Sequence, residues 1–399
     1  MLSFDQALDR LLAAATPTDA IERVPTETAL GRVLAEDLVS AVDLPPLDNS
    51  AMDGYAVRAN EAIAGAKLPL SQRIAAGQVP VPLEAGTAAR IFTGAPIPTG
   101  ADAVVMQEDC AAQDGFVTIN QPSIRSGQHI RRAGEDIRTG ATILSAGTRL
   151  RPQELGLAAS IGRAEVSVYR RLRVATFYTG SELAVPGQAL QPGQIYNSNR
   201  YTLCGMLSAL GCEIVDHGSV HDDLAATRAV LARAAQNVDL VITSGGVSVG
   251  EEDHMRAAVE ADGSLDLWRI AVKPGKPLAF GSIHGVPFIG LPGNPVSVFA
   301  TFSLLVRPYL LRRQGVQQVA PRSFDIIAEF DWPKAGPRRE FVRARLSPDA
   351  RSVSIFGNQS SGVLTSAVWA DGFVDIAENT PIARGDRVRY IPFASLYGC

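Results

Sequence analysis

The sequence predicts a multidomain α/β plus β protein: a doubly wound three-layer α/β domain, an inserted β-rich domain, a helical and extended linker domain, and a small barrel-like β domain at the C-terminus. Three observations lead to this fold class. The chain has 399 residues, more than one hydrophobic core usually serves. Strand and helix patterns alternate over residues 170–316, as in doubly wound sheets. Short strands and turn residues dominate residues 43–139 and 317–399, which is typical of small β domains.

The composition is that of a globular protein and narrows the function classes. Apolar residues make up 46% and charged residues 20% of the chain, and the net charge of −4 argues against a nucleic-acid-binding surface. No run of about 18 apolar residues is present, so no membrane span is expected. The four cysteines lack C-x-x-C spacing, and the N-terminus has acids where a secretion signal has bases, so a cytoplasmic location is expected.

The linker domain is predicted from two separated segments, residues 1–42 and 140–169. Ser3 and Gln6 form a candidate capping box ahead of an apolar stripe with helical spacing. A second helix is predicted over residues 28–38. Residues 140–169 are extended and then helical in pattern, and we expect them to rejoin the N-terminal segment, which makes residues 43–139 an insertion.

The inserted domain contains an unusually polar segment, D-N-S-A-M-D-G-Y-A, at residues 48–56. Two carboxylates, an amide and a hydroxyl lie within six residues, and Gly54 permits a tight bend. A turn needs fewer polar groups than this, so a functional role is expected. The segments T-G-A-P at 93–96 and R-R-A-G-E-D at 131–136 are typical of ordinary turns when each is judged alone.

In the α/β domain, residues 170–316, polar turns follow the predicted strands. Asn197 or Ser198 can cap one helix, and Asp222 or Asp223 the next. Ligands bind outside the carboxyl ends of the strands in such folds. Four turns are therefore expected to converge on one rim as a ligand site: T-G-S-E at 179–182, S-G-G-V-S-V-G-E-E-D at 244–253, K-P-G-K-P at 273–277 and L-P-G-N-P at 291–295.

The longest of these turns combines two chemistries. Its glycines let the backbone approach a ligand closely, and successive N–H groups can point at an anion. Glu251, Glu252 and Asp253 then follow, where they would repel a phosphate alone. Amides and carboxylates are compatible if a divalent cation lies between them. The C-terminal β domain, residues 317–399, is assigned no chemistry, because its strands have the character of solvated faces.

These motifs, in this order, resemble the MoeA family of molybdopterin molybdenumtransferases, which includes the C-terminal part of gephyrin. The resemblance runs from the N-terminal helices to the C-terminal β domain. It implies a homodimer of four-domain subunits that inserts molybdenum from molybdate into the dithiolene of adenylated molybdopterin, with Mg²⁺ present and AMP released. It also implies a site between the α/β domain and the β-rich domain of the other subunit. Transient partners would be the adenylyltransferase that makes the substrate and downstream cofactor-processing proteins.

The resemblance assigns roles to particular residues. Asp53 matches an acid essential for insertion. Carboxylates cannot bind molybdate or pyrophosphate directly, so the acids of the α/β cleft are expected to hold Mg²⁺ or orient water, while cations and loop amides offset anionic charge. The implied catalytic residues are Asp53, Asp222, Glu182 and Lys273, and the implied Mg²⁺ ligands are Glu182, Asp222 and Asp253. The implied substrate-binding residues are Thr93, Arg131, Asp136, Ser244, Gly245, Gly246, Ser248, Arg269, Lys276, Pro292, Gly293, Asn294 and Pro295.

Three positions and one turn depart from the family pattern; the turn is Gln359-Ser360-Ser361-Gly362, which resembles the family's Q-G-S turn imperfectly. Ser181 lies where an acid is frequent, Arg269 where lysine is frequent, and Asp371 in a turn that usually contains asparagine. These departures leave the fine substrate specificity open, including the preference between molybdate and tungstate. Alternatives to the transferase are an adenylyltransferase, which the α/β domain alone resembles, a scaffold like the gephyrin branch, and a carrier that binds the pterin without turnover.

Overall fold

The computed structural model describes residues 1–221, 223–246 and 254–397. A mixed six-stranded sheet, here called the central sheet, forms the middle of the α/β region. Its first four strands are parallel. The fifth runs antiparallel to both of its neighbours, so the sixth has the same direction as the first four. In spatial order the strands are Glu213–Val220, Arg173–Thr179, Leu240–Ser244, Val286–Leu291, Pro277–Ile283 and Gly263–Arg269.

Helices cover both faces of the central sheet, because neighbouring strand residues point to opposite sides. Leu240 and Ile242 belong to the core on one face, and Val241 belongs to the core on the other. The helices are Ser198–Ala209, Leu224–Ala234, His254–Asp262 and Pro295–Thr301, the last continuing through a π-helical segment, Phe302–Val306, into Arg307–Arg313. The predicted three-layer α/β architecture is confirmed.

Local capping signals fix where two of these helices begin. The Asn197 side chain accepts a hydrogen bond from the N–H of Arg200, and the Asp223 side chain accepts one from the N–H of Ala226 at 2.8 Å. Gly211 follows the first helix with φ +76°, the conformation of a C-terminal glycine. The capping predictions for Asn197 and Asp223 are confirmed.

One strand of the central sheet was not predicted. Pro277–Ile283 forms a tight hairpin with Val286–Leu291 through His284 and Gly285, whose φ angles of 49° and 81° suit a two-residue turn. Because this strand runs against its neighbours, its first residue, Pro277, lies at the carboxyl edge of the parallel strands. The K-P-G-K-P turn is thereby delivered to that edge.

Residues 1–42 and 140–169 contain elements that pair with one another. The Phe4–Ala13 helix has the predicted capping box, with Ser3 and Gln6 bonded reciprocally. The prediction of a helix over residues 28–38 is wrong: only a 3₁₀ turn, Thr26–Thr28, is present, and Gly31 then turns the chain at φ +75°. Two strand pairs join the segments: Ile21–Pro25 with Glu165–Tyr169, and Leu38–Val39 with Thr142–Leu144. The second segment also contains the helix Pro152–Ser160.

The inserted region forms a second six-stranded sheet with an apolar cluster on each side. Its strands, in spatial order, are Ala103–Met106, Gly54–Val57, Ala88–Ile91, Lys67–Ile74, Phe116–Ile119 and Cys110–Gln113, and the short pair Asn49–Ser50 and Ile130–Arg131 lies beside it. The chain enters and leaves this region at one point, here called the neck. At the neck, one carboxylate oxygen of Asp43 accepts hydrogen bonds from the Thr139 N–H at 2.7 Å and hydroxyl at 2.9 Å.

The C-terminal region is a closed five-stranded barrel, here called the C-terminal barrel, in which every strand pairs with two others. Its strands are Phe324–Ala328, Arg339–Leu346, Ser352–Ile355, Gly372–Ile376 and Arg387–Pro392, with short helices Leu364–Trp369 and Ala394–Tyr397. The Val272–Lys273 strand joins its edge, and Leu183–Ala184 pairs separately with Ile195–Tyr196. No helix within the described ranges is long and apolar enough to cross a membrane.

Candidate active site

A cavity of about 820 Å³ lies at the carboxyl edge of the central sheet. Thr179, Ser244 and Pro292, which stand at or just past the ends of three parallel strands, line it. All four predicted rim turns contribute described residues to its wall, the turn at 244–253 through residues 244–246. Among the residues predicted for the site, those that line it are Glu182, Ser244, Gly245, Gly246, Lys273, Lys276, Pro292, Gly293, Asn294 and Pro295.

The glycines after the Leu240–Ser244 strand are required by close backbone packing. Gly245 and Gly246 have φ angles of +94° and +65°, which favour glycine. A Cβ on Gly245 would lie 2.5 Å from the carbonyl oxygen of Thr179, and one on Gly246 would lie 2.7 Å from the Thr179 hydroxyl. That hydroxyl is buried, and no described group hydrogen bonds to it. The turn therefore presses against Thr179 and leaves a polar atom at the cavity wall.

Asn199, near the start of the Ser198–Ala209 helix, ties two rim turns together. Its Nδ2 donates to the Ser244 hydroxyl at 2.9 Å and to the Gly293 carbonyl oxygen at 2.7 Å. The Ser244 hydroxyl in turn donates to the Pro292 carbonyl oxygen at 3.2 Å. The Asn199 side chain thus sets the spacing between the turn that begins at Ser244 and the L-P-G-N-P turn.

Three cationic side chains share the cavity wall: Lys273, Lys276 and Arg338. The Lys273 ammonium lies 2.9 Å from the Glu340 carboxylate. Arg338 is half-buried, and its guanidinium makes no hydrogen bond or ion pair with another residue of the described ranges. This side of the cavity is suited to an anionic ligand.

The C-terminal barrel forms part of the cavity wall, which corrects the expectation that this region has no chemistry. Gln359, Ser360 and Ser361 line the cavity, and the Asn294 side chain donates to the Ser361 hydroxyl at 2.9 Å. The physical reason is register: Val272–Lys273 pairs with the barrel strand at Arg339 and Glu340, which fixes the barrel against the rim.

Buried Arg343 holds the barrel loop that reaches the cavity. Its guanidinium donates to the Ser366 hydroxyl at 3.0 Å and to the Ser360 carbonyl oxygen at 3.2 Å. The backbone N–H of Arg343 donates to Gln359 Oε1 at 2.9 Å. Burial lowers the pKa of Arg343 to about 10. The loop is therefore anchored by a desolvated cation whose bonds go to neutral groups.

In the inserted region, Asp53 and Thr93 form a second polar group. One Asp53 carboxylate oxygen accepts hydrogen bonds from the Thr93 N–H at 2.7 Å and the Thr93 hydroxyl at 2.9 Å. These two donors, the N–H first, hold the pKa of Asp53 below its ordinary value. Other polar groups of the same segment have structural partners: Asp48 accepts from Arg132 at 2.6 Å, and the Ser50 hydroxyl donates to the Met52 carbonyl oxygen at 2.6 Å.

Several predicted site residues do not line the cavity of their own chain. Those in the inserted region do not line it, and Arg269 is an exposed residue at the end of its strand. The inserted residues are Asp53, Thr93, Arg131 and Asp136. Asp222, Ser248 and Asp253 lie outside the described residues. Within the described ranges, no group of three or more histidine, cysteine, aspartate or glutamate side chains is arranged to hold a metal ion.

Sequence reasoning did not find Asn199, Arg338 or Glu340 as site residues. Asn199 lies two residues from the capping Asn197, so its polarity was already explained by the start of a helix. Arg338 immediately precedes the Arg339–Leu346 strand and Glu340 is its second residue, and the strands of this region are interpreted from the sequence as solvated faces. One indication of a site is present here in the sequence: a cation and a carboxylate lie at one end of a strand.

Comparison with protein families assigns nearly the whole chain. Residues 2–162 match the MoeA N-terminal region (domain I and II), and residues 175–312 match a probable molybdopterin binding domain. Residues 325–393 match the MoeA C-terminal region (domain IV).

Individual relatives match over similar lengths. The molybdopterin molybdenumtransferase of Haemophilus influenzae is 40% identical, with 100% of both chains covered. Molybdopterin molybdenumtransferase 2 of Mycobacterium tuberculosis is 39% identical, over 92% of this chain and 93% of its own. Among solved structures, the molybdopterin biosynthesis MoeA protein of Pyrococcus horikoshii OT3 is 30% identical, with a TM-score of 0.85 over 98% of this chain and 100% of its own.

Proposed function

This chain belongs to the MoeA family of molybdopterin molybdenumtransferases, and we propose that it inserts molybdenum into molybdopterin during molybdenum cofactor biosynthesis. The observation that carries the proposal is the cavity of about 820 Å³ whose wall is made by the four rim turns and by the C-terminal barrel. A relative with 40% identity over its full length bears the same activity in its name.

The proposed substrates are molybdate and adenylated molybdopterin, which both carry negative charge. Lys273, Lys276 and Arg338 lie on one wall of the cavity, and cations there would offset the charge of phosphate and molybdate oxygens. Loop amides beyond Ser244 would add neutral donors. Attack of an oriented water on the phosphoanhydride would free AMP. The two dithiolene thiols would then replace one oxo ligand of molybdate, which leaves as water with the two thiol protons.

We propose Mg²⁺ as the divalent cation of this site. Glu182 lines the cavity and supplies the hard carboxylate oxygens that Mg²⁺ prefers. Asp222 and Asp253 would complete the ligand set; in the sequence they follow the strands Glu213–Val220 and Leu240–Ser244. Bound Mg²⁺ would offset the charge of the phosphate oxygens at the scissile bond.

A homodimer with a shared active site accounts for the second polar group. Asp53 and Thr93 are paired and solvent-accessible, but they do not line the cavity of their own chain. The inserted region of the other subunit would bring an ionised Asp53 to the cavity.

We also propose the domain limits 1–42 with 140–169, 43–139, 170–316 and 317–399, which the pairing of strands across the neck supports. A cytoplasmic location is proposed as well, and the free thiols of Cys110, Cys204 and Cys212 support it.

The Asp53–Thr93 group favours the transferase over the alternatives. An adenylyltransferase needs ATP and the α/β domain but has no use for the inserted region. A carrier or scaffold does not need an exposed carboxylate positioned by two hydrogen bonds. These functions differ in their products: an adenylyltransferase releases pyrophosphate, whereas the transferase releases AMP only when it turns over.

The test is AMP release from adenylated molybdopterin by the purified protein, with Mg²⁺ and with or without molybdate. Release that depends on molybdate is expected. Bound pterin without release would instead support a carrier, and pyrophosphate release from ATP would support the adenylyltransferase. Sedimentation of the active species tests the dimer, because a fully active monomer would exclude the shared site.

A further inference from the structure

A buried carboxylate of the C-terminal barrel is paired with a cavity lysine. The Glu340 side chain is 6% exposed and the Lys273 side chain is 43% exposed, with 2.9 Å between carboxylate oxygen and ammonium nitrogen. A carboxylate removed from water requires a charged or hydrogen-bonding partner. Lys273 is the cation that pairs with Glu340 among the described residues. The lysine therefore satisfies the carboxylate, and the carboxylate fixes the ammonium.

The backbone and an aromatic ring restrain the same lysine. Val272–Lys273 pairs in parallel with Arg339 and Glu340, and the Arg339 N–H donates to the Ala271 carbonyl oxygen at 2.9 Å. The Lys273 ammonium also lies 5.8 Å from the centre of the Trp332 ring. Both the backbone and the head group of Lys273 are thus held by the C-terminal barrel.

Neighbouring cations do not compete for Glu340. Arg339 donates to the Asp375 carboxylate at 2.7 Å and to Asp5 at 2.9 Å, so its guanidinium is engaged elsewhere. Lys276 belongs to the same turn as Lys273 but is exposed and forms no ion pair with a described residue. Among the lysines of the K-P-G-K-P turn, only the one held by Glu340 has a fixed ammonium.

We propose that Glu340 is a positioning residue for the insertion reaction, acting through Lys273; this rests on the function proposed above. A lysine ammonium has three donors, so pairing with Glu340 leaves donors for an anionic substrate. Glu340 compensates part of the charge of Lys273, so Lys273 acts on the substrate through a directed hydrogen bond as well as through its charge. Such a group acts on the transition state through its fixed geometry.

The diagnostic variant is Glu340→Gln, which keeps the side-chain shape and removes the charge. We expect kcat to fall about tenfold because the ammonium is no longer held, whereas KM stays within about twofold or decreases because the site gains positive charge. Asp375→Asn is the matched control: Asp375 is 5% exposed in the same barrel and pairs with Arg339, which does not line the cavity. This control should retain the kcat of the wild-type protein.

A double-mutant cycle tests whether Glu340 acts through Lys273. In a Lys273→Met background, Glu340→Gln should lower kcat no further, since the group being positioned is gone. An unchanged kcat in Glu340→Gln, an equal loss in Asp375→Asn, or additive losses in the cycle would each overturn the proposal.

A second measurement does not require turnover. Brief acetylation followed by mass spectrometry gives the labelling ratio of Lys273 to Lys276, with Lys276 as an internal standard in the same turn. The ratio should rise in Glu340→Gln and stay constant in Asp375→Asn. An unchanged ratio would overturn the positioning role. If the wild-type protein showed no molybdate-dependent AMP release, the proposed function would fail, while this ratio would still decide whether Glu340 holds Lys273.

Discussion

Replacing Asn199 by aspartate tests whether the two rim turns depend on one side chain. The variant Asn199→Asp keeps the shape of the side chain and removes both Nδ2 hydrogen bonds, to the Ser244 hydroxyl and the Gly293 carbonyl oxygen. It also places a carboxylate oxygen where a donor stood, 2.7 Å from the carbonyl oxygen of Gly293. Two acceptors at that distance repel each other.

The size of the effect follows from the bonds that are lost. Each neutral hydrogen bond contributes about 0.5–1.5 kcal/mol net, so two of them give about 2 kcal/mol, and the repulsion adds to this. The full cost of an unsatisfied group is avoided, because Ser244 still donates to Pro292 and Gly293 lines the open cavity. At about 2–4 °C per kcal/mol, the transition of the α/β region should shift down by about 4–8 °C.

The same change should weaken substrate binding. If ordering the L-P-G-N-P turn costs the substrate about 1 kcal/mol that Asn199 otherwise provides, KM rises about fivefold. Thermal unfolding and steady-state AMP release would be measured on Asn199→Asp and on Ser208→Ala, an exposed position on the same helix that serves as the control. Unfolding and KM equal to the wild-type values in Asn199→Asp would refute the reasoning.

Three further predictions concern groups at the site. Thr93→Val keeps the N–H donor to Asp53 but loses the hydroxyl donor, so the Asp53 pKa rises toward its ordinary value and the acid limb of the pH–rate profile moves to higher pH. Because the ionised carboxylate is the form expected to act, a higher Asp53 pKa moves the limb to higher pH, and an unmoved limb would contradict this. Separately, the lowered pKa contributes stability that is present above the unfolded pKa and lost as pH falls through the folded one. Asp53→Ala should bind adenylated molybdopterin with nearly the wild-type Kd in titrations yet insert no molybdenum; an active variant would remove Asp53 from the chemistry. Arg338→Ala should raise KM for the adenylated substrate several-fold, with partial recovery in Arg338→Lys, and equal KM values in all three proteins would exclude an anion contact.

Local interactions explain which structural features could be predicted from the sequence. Ser3, Asn197 and Asp223 cap their helices with bonds to N–H groups three residues away, so neighbouring residues contain the whole signal. Residues 28–38 could not be predicted in this way. Leu30, Val33 and Leu34 have helical spacing, but bridges to Arg149 and Val168, more than a hundred positions later, hold the segment extended.

The same difference between local and distant interactions decides which residues of the candidate site could be predicted. The rim turns could be predicted because glycine and proline mark them and because strand ends share one edge of a sheet. Glu340 could not, because its importance depends on the pairing of Lys273 with a barrel strand that begins 66 positions later, at Arg339. The position of Asp53 outside its own chain's cavity likewise depends on how whole regions are arranged, which no local pattern records.

The neck between Asp43 and Thr139 has a consequence for the order of folding. These residues are 96 positions apart, and closing a flexible loop of that length costs roughly 4 kcal/mol in chain entropy. The inserted region has its own apolar clusters, so its folding can bring both ends of the loop together. Strands Ile21–Pro25 and Glu165–Tyr169 then meet without a separate search. We therefore expect the insertion to fold before the region that it interrupts, although half of that region is synthesised first.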